Sequence, residues 1–385
     1  MQYRWIDSLS GVEPSAWDRL VDAAGGNVFL RHAWLYALEA SGCVGGRTGW
    51  QPCHLLAFDG TRLSGALPCY LKSHSYGEYV FDWAWADAYR RAALAYYPKL
   101  VAAVPFSPCP GPRLLAAELA VADGLVAEAM RFARVSGLSS LHVLFPSAAE
   151  IARWTAHGLM HRQGVQFHWQ NAGYADFEQF LATMTHDKRK RIRQDRRYVE
   201  AAGVRFRVRV GRAIQREEWA FFRRCYELTY FRHHSTPYLN LDFFTRIGRE
   251  CNDAAVLFIG ERAGVPICSS LCLASGRTLY GRYWGAIEPL RSLHFEACYY
   301  QPIAWAITHG FERFEGGAQG THKLARGLLP APTHSAHWIA DPRFASAIDD
   351  YLARERIGVA HTLEELAEST PFKQMTDSTA TAEPA

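Results

Sequence analysis

The strongest constraint on this chain is a pattern written twice. The segment HLLAFDGTRLSGALPCYL (residues 54–71) puts two apolar runs on either side of a short polar turn. VLFIGERAGVPICSSLCL (residues 256–273) repeats that spacing. Farther along each half, RFARVSGLSSLHVLF (131–145) matches AWAITHGFERFE (304–315), a helix end, a glycine and a returning apolar strand. A repeat of this length implies one supersecondary unit used twice. Hairpins followed by a helix and a returning strand predict an α/β (α+β) fold, with two tandem domains that each carry a mixed, mostly antiparallel sheet flanked by helices.

The local signals fill in that plan. Tyr3–Ile6, Leu141–Phe145, Val204–Val210 and Thr278–Trp284 read as strands. Val28–Ala40 with Asn27 as its cap, Ala116–Val135, Arg216–Tyr230 and His294–Thr308 read as helices, and Gly137 and Gly310 are placed to end two of them. Tyr174–Gly203 predicts two linked helices with Phe177, Phe180, Leu181 and Met184 on one apolar face, extended weakly by Ile192 and Val199. The expected division is an N-terminal unit over 1–172, a C-terminal unit over 173–370 carrying the main site, and a polar, disordered tail over 371–385.

Composition narrows the function classes. Of 385 residues 49% are hydrophobic and 21% charged, enough for real cores. The net charge of +4 is mild: it permits an anionic ligand without pointing to general nucleic-acid binding. The nine cysteines are an odd number without a CxxC pair, which predicts reduced thiols and a cytoplasmic location. The N-terminus lacks a signal-peptide pattern, and no run of about 18 apolar residues predicts a membrane span.

Three segments carry candidate chemistry. KRKRIRQDRR (Lys188–Arg197) offers Arg189 and Arg191 to phosphates; read plainly, it is a solvated helix face partly neutralised by Asp187 and Asp195. In LYGRYWG (279–285), Tyr280, Arg282 and Trp284 are expected on one face of a strand, with Gly281, Tyr283 and Gly285 on the other. The following helix brings His294, Glu296, Tyr299 and Tyr300 into its first turns, beside a helix N-terminus suited to anions, unless the whole stretch is simply an aromatic core. Finally, Glu315–Pro330 (EGGAQGTHKLARGLLP) follows a strand. Gly316, Gly317 and Gly320 free the backbone to approach a ligand, Gln319 and His322 can hydrogen-bond, and one helical turn would align Lys323 with Arg326. The plain alternative is a flexible surface loop. A zinc site from His322, His334 and His337 lacks completing ligands, so no metal is expected. GxSxG, Walker A and dinucleotide fingerprints are absent from the sequence.

Taken in order, LYGRYWG, LHFEACYYQ, GAQGTHKLARG and THSAHWI resemble the FemAB-like predicted N-acyltransferases, catalogued as peptidoglycan biosynthesis/recognition proteins. FLRHAWLYALEASG, FDWAWAD, VPFSPCPGPRLL, TMTHDKRKRIRQDRR and TPYLNLDFF fit as well, so the resemblance spans about Phe29 to Glu355. It implies two tandem GNAT-like domains. It also implies transfer of an acyl or aminoacyl group to an amine, possible acceptors including a cell-wall precursor. The donor would be acyl-CoA or aminoacyl-tRNA as co-substrate, with no tightly bound cofactor and with tRNA as a further candidate partner. A non-catalytic protein that binds a peptidoglycan precursor or acyl carrier is the alternative. By this resemblance Lys323 contacts phosphate or the reacting carbonyl. Lys323 and Arg326 then stabilise an anion or oxyanion, Glu315 or His322 serves as base, and Arg282, Tyr283, Trp284, His294, Glu296, Tyr300, Gln319 and Gly320 bind substrate. Glu288–Leu293 (EPLRSL) departs from ordinary GNAT enzymes, whose pyrophosphate turn at this point carries glycines.

Overall fold

The computed structural model of the chain describes residues 1–317 and 320–373, apart from the side chain of Thr321. Its strands are β1 (Gln2–Ile6), β2 (Trp50–Pro52), β3 (His54–Asp59), β4 (Arg62–Leu67), β5 (Cys69–Lys72), β6 (Lys99–Ala102), β7 (Leu115–Ala116) and β8 (Ser140–Leu144) in the first half. They continue with β9 (Met160–Gln170), β10 (Val204–Val210), β11 (Ala255–Arg262), β12 (Val265–Ser275), β13 (Thr278–Ala286), β14 (Arg313–Glu315) and β15 (Leu329–Ile339). A small sheet has the order β1-β3-β4-β7. The large one runs β10-β11-β12-β13-β14-β9-β15-β8-β6-β5-β2 through both halves.

The repeated pattern is visible in the pairing. Hairpins β3–β4 and β11–β12 both bulge just before their turns, between Ala57/Phe58 and between Gly260/Glu261. Helix Leu119–Val135 leads into β8, which pairs parallel with β6; helix Gln301–Thr308 leads into β14, which pairs parallel with β13. Both helices stop at a glycine with positive φ, Gly137 (64°) and Gly310 (71°), a conformation that suits a residue without Cβ. The copies diverge at Pro68. There the first hairpin's second arm leaves the small sheet as β4 and enters the large one as β5, whereas β12 runs unbroken for 11 residues.

The expected boundary near 172 falls in the loop after β9, and the large sheet continues across it. β9 pairs with β14 and β15, and β15 pairs back onto β8. One apolar core also draws on both halves: Trp34 meets Phe243 at 5.2 Å and Phe29 meets Tyr280 at 5.1 Å, both edge-to-face. The sheet's two edges are blunted differently. On β10, Arg207 is tied to Glu218 and Glu261; β2 has three residues and ends in proline.

Helices Phe177–Thr183 and His186–Ala201 form as expected, and Phe177, Phe180, Leu181, Met184, Ile192 and Val199 are all buried. The expected tail begins later than residue 371. Thr185 N–H donates to Pro371 O, Lys373 N–H donates to Thr183 O, and Phe372 packs toward Phe180, so apolar contact and backbone pairing hold 371–373 to the preceding helix pair. Residues 374–385 lie outside the described residues. The long helix Pro342–Glu368, buried at Ile348 and Leu352, was not anticipated.

Candidate functional site

The site grows from a strand pair that stops pairing. β13 and β14 are joined at only three positions, Thr278↔Arg313, Leu279↔Phe314 and Tyr280↔Glu315, and then part. On one side of the opening, β13 bulges: Leu271 faces Tyr283 and Cys272 faces Gly281, leaving Arg282 without a partner across the pair. A bulge re-aims side chains. This one overturns the expected alternation, because Arg282 and Tyr283 turn to the same acceptor. Arg282 Nη2 and Tyr283 Oη both donate to Phe106 O, the latter at 2.9 Å. Trp284 meets the His294 ring at 4.5 Å, tilted by 38°. Between these groups lies a cavity of about 170 Å³, lined by Tyr79, Pro108, Tyr226, Thr229, Tyr230, Arg282, Tyr283, Trp284 and Gly317.

On the other side of the opening the glycine-rich segment folds over as a short 3₁₀ helix, Thr321–Arg326. It is no loose surface loop: Lys323 and Arg326 are buried. Lys323 Nζ donates to Gly317 O at 2.8 Å, strapping the segment to itself behind the cavity wall. Burial lowers the Lys323 pKa to about 8. Gly320 has φ 113°, and a Cβ there would stand 2.3 Å from the His322 ring. His322 meets the Tyr299 hydroxyl at 3.0 Å; partial desolvation of its ring, Arg326 and Lys323 lower its pKa. Gln319 lies outside the described residues.

Glu315, at the end of β14, is 4% exposed. Burial raises its pKa to about 7, despite Arg313 at 3.3 Å. In the unfolded chain it would titrate near 4.5. Between those values the folded protein keeps a proton that the unfolded chain has released. Stability therefore falls as pH rises through this window and levels off above about 7, by up to about 3 kcal/mol in total. Glu315→Gln should remove that slope in urea titrations at pH 5, 6 and 8; an identical slope in the variant would refute this assignment.

The remaining expected residues do not join that cavity. Tyr300 and Arg326 gather instead around Asp195, which accepts from Tyr300 Oη at 2.8 Å and Ser292 Oγ at 2.7 Å, with Arg326 Nη2 3.7 Å away. Arg326 also lies over the Phe295 ring, 3.4 Å from its centroid. Asp195 thus acts as more than a neutralising charge in the basic run. It turns inward from helix His186–Ala201 beside Ile192 and Val199, at the i+3 and i+4 spacing that identifies a buried face. Ser292, at φ 63°, starts the next helix with its hydroxyl held by Asp195. That helix contains a π-turn at Glu296–Tyr300.

The outer face of helix His186–Ala201 opens on a groove of about 950 Å³ whose cations are Arg189, Lys190, Arg193, Arg196, Arg197 and Arg205. Glu296 belongs to this groove, 3.3 Å from Arg196 and 2.7 Å from Gln301 Nε2; burial raises its pKa. Arg189 lines the groove as expected. Arg191 does not, since its position in the helical turn carries it to the opposite, exposed face.

Three contributors escaped the sequence reading. Gln166 Nε2 donates to Pro108 O at 2.8 Å, and His168 lies 3.9 Å from Glu315. Both are on β9, whose mixed polar sequence MHRQGVQFHWQ hides a strand sandwiched between two others. Buried Arg113 donates to the carbonyls of Cys109, Gly111, Pro112 and Leu144, shaping the loop that presents the Phe106 carbonyl to Arg282 and Pro108 to the cavity. His334 and His337, weighed above for zinc, pair with His161 at 3.0 Å and His142 at 2.7 Å. Among the described residues no group of three or more His, Cys, Asp or Glu is placed to hold a metal ion.

A duplicated hairpin–helix–strand unit, with a parallel strand pair that splays over a polar loop, defines a mixed α/β architecture of mostly antiparallel sheets flanked by helices. The chain belongs to the FemAB-like family, described as peptidoglycan biosynthesis/recognition, which matches residues 8–374. Its fold is similar to that of FemX, at 10% identity and TM-score 0.56, covering 91% of this chain and 100% of that one. It is also similar to L-PGS from Bacillus licheniformis, at 11% identity and TM-score 0.54, covering 89% and 96%. A third is the C-terminal domain of a putative lysylphosphatidylglycerol synthetase from Agrobacterium fabrum, at 11% and 0.52, covering 88% and 96%. No curated protein matches the sequence.

Proposed function

We propose that this chain transfers an acyl or aminoacyl group from an activated donor to an amine, with a peptidoglycan precursor as the acceptor class its family suggests. The observation that carries this reading is the opening between β13 and β14, where buried Glu315 ends β14 and, just beyond it, the Lys323 ammonium is held on Gly317 O. In such a transfer the amine nitrogen attacks the donor carbonyl. A C–N bond forms, the C–O or C–S bond to the carrier breaks, the amine proton goes to a base and the carrier leaves with a proton. Glu315, with its pKa near 7, is suited to hold that proton. Lys323 supplies positive potential for the tetrahedral oxyanion in a site where burial strengthens it. His322 is the second candidate for the base.

The donor is read from the cations. At the helix start the chain has EPLRSL in place of a glycine turn, and Ser292 there is already engaged by Asp195. A pyrophosphate cradled by that turn is therefore disfavoured. The groove along helix His186–Ala201 offers phosphates a row of guanidinium groups instead. This favours aminoacyl-tRNA over acyl-CoA as co-substrate. The same occupied helix start favours, as the second reading, a protein that binds a precursor or acyl carrier without turnover.

The test is native mass spectrometry after incubation with acyl-CoAs and with aminoacyl-tRNA, followed by an assay for amide product on a peptidoglycan precursor. A retained donor and new amide support transfer; tight precursor binding with no product from any donor supports the second reading. Among the described residues no helix is long and apolar enough to cross a membrane.

A further inference from the structure

The cavity beside the β13 opening contains an arginine, Arg282, that Glu315 reaches only through space and that no carboxylate of the described residues pairs with at salt-bridge distance. Arg282 uses Nη2 on Phe106 O and, at 3.3 Å, on Tyr283 Oη. Its Nε is buried and, among the described residues, has no partner. Among the described residues no carboxylate oxygen lies within 4.0 Å of the guanidinium. It is flanked instead by aromatic rings, 5.0 Å from the centroid of Tyr283 and 5.7 Å from that of Phe29. Tyrosines, Thr229 and Trp284 complete the lining, with no acidic residue among them. Tyr79, in the same wall, is held at φ 62°, a left-handed conformation that L-residues adopt at a cost and that clusters at ligand sites.

Arg282 is half-buried, and Glu315, the carboxyl that acts on it through space, is itself pushed toward its neutral form, so the guanidinium is left able to take an anion. A planar cation presents donors in a fork that matches a planar anion. The size of the space limits what brings that anion: about 170 Å³ holds roughly five or six water volumes, the bulk of an amino acid or a short dicarboxylic acid. Gly317, which Lys323 straps, forms part of the wall, so a group bound there would adjoin the proposed transfer centre.

We infer that this cavity binds a carboxylate of amino-acid size on Arg282, so that one reactant of the protein is a carboxylate-bearing molecule. The inference rests on the transfer reading only for the word reactant; the binding itself requires no donor. Two sources share the chemistry: the α-carboxylate of an amino-acid acceptor and the distal carboxylate of a dicarboxylic acyl group.

Isothermal titration of the full chain with succinate against succinamide, and with L-alanine against L-alaninamide, tests it. At least one carboxylate should bind about ten- to a hundredfold more tightly than its amide, the range expected for a charge-assisted contact. Succinate alone identifies the acyl group as the source, and alanine alone identifies the acceptor. In Arg282→Gln the preference should fall to about one. Tyr230→Trp, which fills the cavity but keeps the arginine, should weaken carboxylate binding too, so the proposal stays exposed if the first variant does not fold. Equal binding of acid and amide by the wild-type protein, binding of neither, or a preference that survives in either folded variant would overturn it. Because titration reads binding alone, absence of amide product in the transfer assay would sink the proposed activity and leave this site standing.

Discussion

Lys323→Ala is expected to lower turnover about a thousandfold while the chain still folds. The size follows from the loss of a preorganised positive group at a developing oxyanion, which typically costs a factor of about 100 to 1,000. The side chain is 2% exposed, and its one hydrogen bond among the described residues goes to Gly317 O, so the variant loses both the charge and the strap on the cavity wall. Lys323→Met separates these losses from simple cavity formation, because it retains most of the volume without the ammonium. It should show the same drop in kcat. Burial holds the lysine at about 8, below the 10.5 of the unfolded chain, so turnover that needs the cation should decline as pH rises through about 8. The stability sign is the opposite. Between about 8 and 10.5 the unfolded state holds more protons, so wild-type stability rises with pH there, and the methionine variant should lack that rise. Wild-type kcat in Lys323→Met would remove Lys323 from the mechanism.

Gly285→Ala should lower the melting temperature by roughly 5–10 °C. A Cβ at this position would stand 1.9 Å from Cys225 O, 2.3 Å from Cys225 C and 2.9 Å from Thr229 Oγ1. The first two are backbone atoms of helix Arg216–Arg232, so no rotamer change relieves the contact and the whole helix must move off β13. That shift also breaks the Thr229 Oγ1 bond to Trp284 O, 2.9 Å long, and reshapes the cavity that both residues line. Gly281→Ala is the control. Its Cβ would meet the Phe314 ring at 3.0 Å and Glu315 O at 3.3 Å, contacts that a shift of a few tenths of an ångström relieves, and a drop of at most a few degrees is expected. Thermal unfolding of the two variants side by side checks the contrast. Equal melting temperatures would mean that the helix does not sit as close to the strand as described.

Much of the fold was legible because it is written in spacing. Val204–Val210 alternates over its full length and is β10 to the residue; both hairpins and both glycine-ended helices stand where their patterns put them. The elements that escaped are those whose surroundings override periodicity. β9 and β15 are flanked on both sides by other strands and carry histidines, glutamine and prolines that are satisfied only by partners far along the chain, such as Gln166 on Pro108 and His337 on His142. The site was legible in the same partial way. The residue types of Glu315, Lys323 and Arg282 declared themselves in a glycine-rich context, but the bulge that turns Arg282 beside Tyr283 depends on register against β12. No local pattern in LYGRYWG records that register.

The duplicated unit, the basic helix and the family are therefore properties of the amino-acid order, since hydrophobic period and motif are local. The separation of the polar residues into three places came from folding: a carboxylate-hungry cavity at Arg282, a buried knot at Asp195, and an open cationic groove along Arg189–Arg197. Each depends on which side chain loses water, and that is decided by segments more than 80 residues apart closing on one another, as Phe106 closes on Arg282 and Asp195 on Tyr300.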